Sequence, residues 1–207
     1  MHLPSNVGRY DDVPLPAFDF LEPRYILPDS ARRLKSWSRA AEVERRLDHF
    51  EWISHVARTP RGIETLVVDL ATAYLLSFES ALQLLQQERF PKGSSPSFEG
   101  WLRPLSPNDL TVRGIRTMRH LEAHVRAGSL TQRQVGGHSR FGGSEGGTSI
   151  GWRWAPVTHA EFGSLRTPRI TEEELPDWNA RLEAELIMDI MRLGVEHLRD
   201  IFIEGEN

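Results

Sequence analysis

The sequence predicts an all-α fold: a four-main-helix bundle with an extended N-terminal arm. A Gly-rich insertion, with room for a small β-hairpin, precedes the last helix. Three observations carry this. Apolar residues recur every three or four positions through four segments, the period of a helix with one buried stripe. Each segment opens on a residue that can cap a helix, and two of them place proline at the first helical position. Glycine is concentrated between residues 129 and 170, where Gly136, Gly137, Gly142, Gly143, Gly146, Gly147 and Gly151 oppose regular helix. A chain of 207 residues is enough for one domain, read here as an arm over residues 1–29 and a bundle domain over 30–207.

In the arm, Pro4, Pro14, Pro16, Pro23 and Pro28 forbid a helix, while Phe18, Phe20, Leu21, Tyr25, Ile26 and Leu27 supply apolar surface. Asp29 or Ser30 caps the first helix, which runs to about Arg58 with Leu34, Trp37, Ala41, Val43, Leu47, Phe50, Ile53 and Val56 at helical spacing. Thr59-Pro60 opens the second, to Arg89. Its seam is Ile63, Leu66, Leu70, Ala73, Ser77, Ala81 and Leu84, widened by Val67, Tyr74, Phe78 and Leu85. A connector follows, in which Phe98, Trp101 and Leu102 pin a short turn. Ser106-Pro107-Asn108-Asp109 then starts the third helix, which carries Val112, Ile115, Met118, Leu121 and Val125 inward and stops at Gly128. In the insertion, Thr148 to Trp154 reads as one hairpin strand, its Trp152 and Trp154 on one side and directed at the core by the period of two. Thr171 and Glu174 form a capping box ahead of a last helix that begins near Leu175. Its apolar face is Leu175, Trp178, Leu182, Leu186, Ile190, Leu193, His197 and Ile201.

Composition narrows the function. Net charge is −4, so no global basic field gathers polyanions and any such site is local. The chain has no cysteine, which removes disulfides, thiol catalysis and thiolate metal sites and fits a reducing, cytoplasmic setting. No run of about 18 apolar residues exists to cross a membrane, and residues 1–29 lack the apolar core of a secretory signal. Of the 25 Lys and Arg residues, only Lys35 and Lys92 are lysines. The Gly-rich stretch is not a phosphate loop, because no Gly-Lys-Ser/Thr follows it.

The third helix gathers the chemistry: Arg113, Arg116, Arg119, His120, Glu122, His124 and Arg126. His120 and His124, four apart, share a face, with Arg119 about 100° round. The spacing is also that of a charged solvent face, with Glu122 answering Arg119 and Arg126. An i, i+4 His pair holds zinc only with a third ligand, for which His49, His55 and His197 are the helical candidates, and no metal or cofactor is expected. Arg119-His120-Leu121-Glu122-Ala123-His124 resembles the ribonuclease motif of the HEPN superfamily, in which an Arg, a polar residue and a His follow one another on a bundle helix. Arg192 and His197 offer a rival pair at similar spacing. The resemblance implies metal-independent RNA cleavage, with His124 carrying a proton, Arg119 holding phosphate and His120 in support. Arg116 and Arg113 would help bind substrate. It also implies a homodimer and a toxin or defence role with an antitoxin-like protein partner. The other reading is a non-catalytic helical dimerisation or partner-binding module. Glu79, polar and near the seam of the second helix, either orients the site or is solvated.

Overall fold

The computed structural model describes residues 35–56, 64–90, 96–105, 110–125, 130–135, 149–166 and 168–204. The expected arm, the first two helix starts, the Ser106 cap, the Gly128 stop and most of the glycine run lie outside the described residues. In order, the elements are α1 (Lys35–Val56), α2 (Glu64–Arg89), α3 (Phe98–Leu105), α4 (Leu110–His124), β1 (Leu130–Val135), β2 (Ser149–Trp154), α5 (His159–Ser164), α6 (Leu175–Ala184) and α7 (Ile187–Glu204). The four main helices are α1, α2, α4 and α7. Helices α2 and α7 each touch the other three, which places them at the centre of an all-α bundle. Among the described residues no helix is long and apolar enough to cross a membrane.

The buried face of α2 is wider than the expected seam. Leu70, Ser77 and Ala81 of the seam are buried, as are Val67, Tyr74, Phe78 and Leu85 beside it, and Ala71, Leu75 and Leu82 extend the face further, whereas Leu66 is 46% exposed. A helix packed against three others must bury well over half its circumference. Tyr74 donates from its hydroxyl to the carbonyl of Met191, 2.8 Å away, tying α2 to α7. Burial pushes the phenol well above its ordinary pKa, so it remains a donor. At the other end of α2, the Glu88 carboxylate accepts the backbone N–H groups of Lys35 (2.6 Å) and Ser36 (3.3 Å). A negative charge at the first turn of α1 opposes the helix dipole favourably.

The single last helix of the sequence reading is two helices. Glu185 is extended (φ −101°, ψ 150°), and its N–H closes α6 on the Arg181 carbonyl at 2.9 Å. On an unbroken helix Leu182 and Ile187 would point about 140° apart, yet both are fully buried. The break lets both reach the core. It also shifts the inner stripe of α7 to Ile187, Ile190, Met191, Val195, Leu198, Ile201 and Phe202. Two glycines let large side chains pack directly on a helix backbone. A Cβ on Gly114 would stand 2.5 Å from the Trp178 ring, and one on Gly194 2.5 Å from both Ile115 Cδ1 and the Tyr74 hydroxyl.

The described residues of the insertion include a two-stranded hairpin. β1 and β2 pair antiparallel from Leu130↔Trp154 to Val135↔Ser149. Trp152 and Trp154 are buried on one side, 6% and 1% exposed, so neither presents a free face to a nucleobase. Helix α5 was not expected. Thr158 and Glu161 form a reciprocal capping box, with the Glu161 N–H on the Thr158 hydroxyl at 3.3 Å and the Thr158 N–H on the Glu161 carboxylate at 2.8 Å. Asn179 clamps the strand exit, accepting from the Val157 N–H (2.7 Å) and donating to its carbonyl (2.9 Å).

Candidate functional site

Helix α4 is packed on nearly every side, and this decides the fate of its three regularly spaced arginines. Val112, Ile115, Met118 and Leu121 are fully buried, as expected, but so is Arg116, while Val125, also expected to face inward, is 40% exposed. A guanidinium cannot lose its charge on burial, so a buried one needs an anionic partner. Glu79 on α2 supplies it, with Arg116 Nε at 2.7 Å and Nη2 at 3.2 Å from the two carboxylate oxygens. The Phe98 ring covers the guanidinium carbon at 4.4 Å. Glu79, 4% exposed, is therefore not solvated but the counter-ion of the core.

Arg113 is likewise committed. It grips Glu174 with both terminal nitrogens at 2.7 Å, a fork-on-fork pair. Of the two arginines expected to bind substrate, Arg116 is enclosed, and both Arg116 and Arg113 are held by carboxylates. The rival Arg192 is held by Glu51 at 2.6 Å and by Asp189 at 3.4 Å.

Glu174 shows what Arg113 does. Its hydrogen bonds from Arg113 hold its carboxyl below the ordinary 4.5, against the opposing effect of burial. Between the folded value and 4.5 the unfolded chain binds more protons than the folded one. The pair thus stabilises the fold at neutral pH, and that contribution is lost as pH falls through the range below 4.5. Arg113→Ala should cost about 0.5–1 kcal/mol at pH 7, discounted for partial exposure. The deficit should shrink in acid, which urea melts at pH 7 and near pH 3 would read.

What remains is a cluster at the C-terminal end of α4. His120 and His124 lie side by side, ring centroids 6.1 Å apart and planes inclined by 36°. His124 is exposed, while Arg119 and His120 are half-buried. The Arg119 Nε is buried with no hydrogen-bond partner. The sequence reading missed the fourth member, Arg169, whose Nη2 stands 3.3 Å from His120 Nε2. It lies 49 residues away on the connector between α5 and α6, and no linear spacing could have linked the two. Burial holds the His120 imidazole below its ordinary 6.5. Arg169 and then Arg119 and Arg116 push the same way, with Glu79 opposing. His120 is thus shifted toward its neutral form.

The cluster can bind an anion and exchange a proton beside it. Among the described residues, no group of three or more His, Asp or Glu is placed to hold a metal ion. Fold and cluster together define a helical bundle with a His/Arg cluster at the C-terminal end of α4. No protein-family model, curated protein or solved structure matches the chain.

Proposed function

We propose that this protein is a HEPN-like, metal-independent endoribonuclease, as the motif Arg119-His120-x-x-x-His124 implies. The observation that supports it is the pairing of two imidazoles at 6.1 Å, one shifted toward its neutral form by burial, beside Arg119 with its buried, unmatched Nε. Transesterification needs these groups. His120 accepts the proton of the ribose 2′-hydroxyl as that oxygen bonds to phosphorus. The phosphorus–O5′ bond breaks, and His124 returns a proton to the departing 5′-oxygen. Arg119 pairs with the non-bridging oxygens, on which charge accumulates. Imidazole suits both proton transfers because its pKa lies near neutral pH. This reading carries with it a cytoplasmic homodimer, a toxin or defence role and an antitoxin-like protein partner.

The second reading, a non-catalytic helical dimerisation or partner-binding module, draws on Leu66 and Leu76 of α2, 46% and 48% exposed. Cleavage of mixed-sequence RNA in EDTA separates the two. The wild type should cut, and Arg119→Ala, His120→Ala and His124→Ala, each folded by circular dichroism, should each lose roughly 10²–10⁴-fold in rate. A wild type that leaves RNA intact while self-associating through α2 would favour the second reading. Variants as active as the wild type would remove the site.

A further inference from the structure

The connector that carries Arg169 is fastened to α4 at two points, with Ile170 buried between them. The Arg169 backbone N–H donates to Thr117 Oγ1 at 3.2 Å, and that hydroxyl in turn donates to the Arg113 carbonyl at 2.9 Å. Ile170 is 2% exposed. Glu174 is held by Arg113 at 2.7 Å. The backbone of Arg169 is thus fixed, while its long side chain reaches the half-buried edge of His120.

A guanidinium has N–H donors and no acceptor. Its contact with His120 therefore makes Nε2 the unprotonated nitrogen and leaves the ring proton on Nδ1. A donor on that lone pair blocks the atom a general base would use. It is also a weaker partnership than a guanidinium makes with a phosphate, which it meets through two parallel bonds. Among the described residues, the charged and titratable groups that face His120 are Arg169 from the connector, Glu79 from α2, and Arg116, Arg119 and His124 from α4 itself. Glu79 is matched by Arg116, and Arg169 and Arg119 both act on the imidazole as cations.

We propose that Arg169 is a phosphate ligand of this site that holds His120 Nε2 in the empty protein and transfers to a non-bridging oxygen when a nucleic-acid phosphate enters. The inference rests on the nuclease reading for its substrate and deepens it, since the transfer uncovers the base only when substrate is in place. Phosphate binding and proton affinity at His120 are then coupled. Moving a cation off Nε2 and placing an anion nearby both favour imidazolium.

The test is NMR of the imidazoles in the full chain, with pH titrations alone, with inorganic phosphate, and with a DNA oligonucleotide that lacks the attacking 2′-hydroxyl. The wild-type His120 midpoint should rise on saturation with the oligonucleotide. In Arg169→Gln the midpoint should already be higher without ligand and should respond less. Its oligonucleotide affinity should fall roughly ten-fold or more, the value of a lost charge-assisted bond. Arg169→Lys, which keeps the charge but not the fork, should fall between the two.

A wild-type His120 midpoint that ignores the oligonucleotide, or Arg169→Gln binding it as tightly as the wild type, would overturn the proposal. So would a response to inorganic phosphate alone, which would take the site away from nucleic acid. Binding and titration as described, with RNA bound but never cut, would overturn the nuclease reading and leave Arg169 as a phosphate ligand.

Discussion

Glu79→Ala is expected to destabilise the protein by about 3–5 kcal/mol, because it removes the carboxylate that a fully buried guanidinium holds with two nitrogens. Arg116 is fully enclosed. Its Nε and Nη2 both reach Glu79, and the Phe98 ring stacks over it at 4.4 Å. Arg116 cannot shed its proton to escape, so α2 and α4 must separate or admit water. The double variant Glu79→Met/Arg116→Met should recover much of the loss, since exchanging both members for apolar groups of similar volume is often neutral. Urea unfolding of the two singles and the double completes the cycle. A Glu79→Ala loss below about 1 kcal/mol would mean that water reaches Arg116 in solution.

Trp178→Ala should rank beside it, at about 3–5 kcal/mol, the usual range for truncating a large buried aromatic side chain. The ring is fully buried and lies over Gly114, where a Cβ would stand 2.5–2.6 Å from three of its atoms. The same contact predicts that Gly114→Ala destabilises by about 1–3 kcal/mol, although alanine is favoured over glycine in a helix by about 1 kcal/mol. Tryptophan has no flexible end to move aside. A neutral or stabilising Gly114→Ala in a thermal melt would show that the α4–α6 contact is looser than described.

Much of the fold was legible because helical periodicity and caps are local signals. Four of the five residues expected to face inward from α4 do so, Val125 being the exception, and the start of α6 at Leu175 follows from the Thr171–Glu174 box. Their reciprocal bonds, 2.8 and 3.3 Å, do form. The break at Glu185 was hidden, because Leu182 and Leu186 continue a helical stripe as well as Leu182 and Ile187 end one. Only the tertiary demand that Ile187 be buried decides between them. Helix α5 was legible in Thr158-His159-Ala160-Glu161 and was obscured by the glycines upstream.

The site divides along the same line. His120 and His124 share a face because four residues make about one turn, which spacing alone states. That Arg113 and Arg116 are spoken for depends on Glu174 and Glu79, which lie 61 and 37 residues away in the chain. A row of arginines three apart reads the same whether it faces solvent, a carboxylate or the interior. Arg169 is the converse case, a residue in no motif that tertiary structure delivers to the imidazole.

The measurement that tests the central claim most directly is the chemistry of the ends left on RNA digested in EDTA. Attack by the 2′-hydroxyl with proton transfer through His120 and His124 predicts a 2′,3′-cyclic phosphate on one fragment and a 5′-hydroxyl on the other. Both should disappear in His120→Ala and His124→Ala. Ends bearing a 3′-hydroxyl and a 5′-phosphate, or cleavage that chelation abolishes, would contradict the assignment.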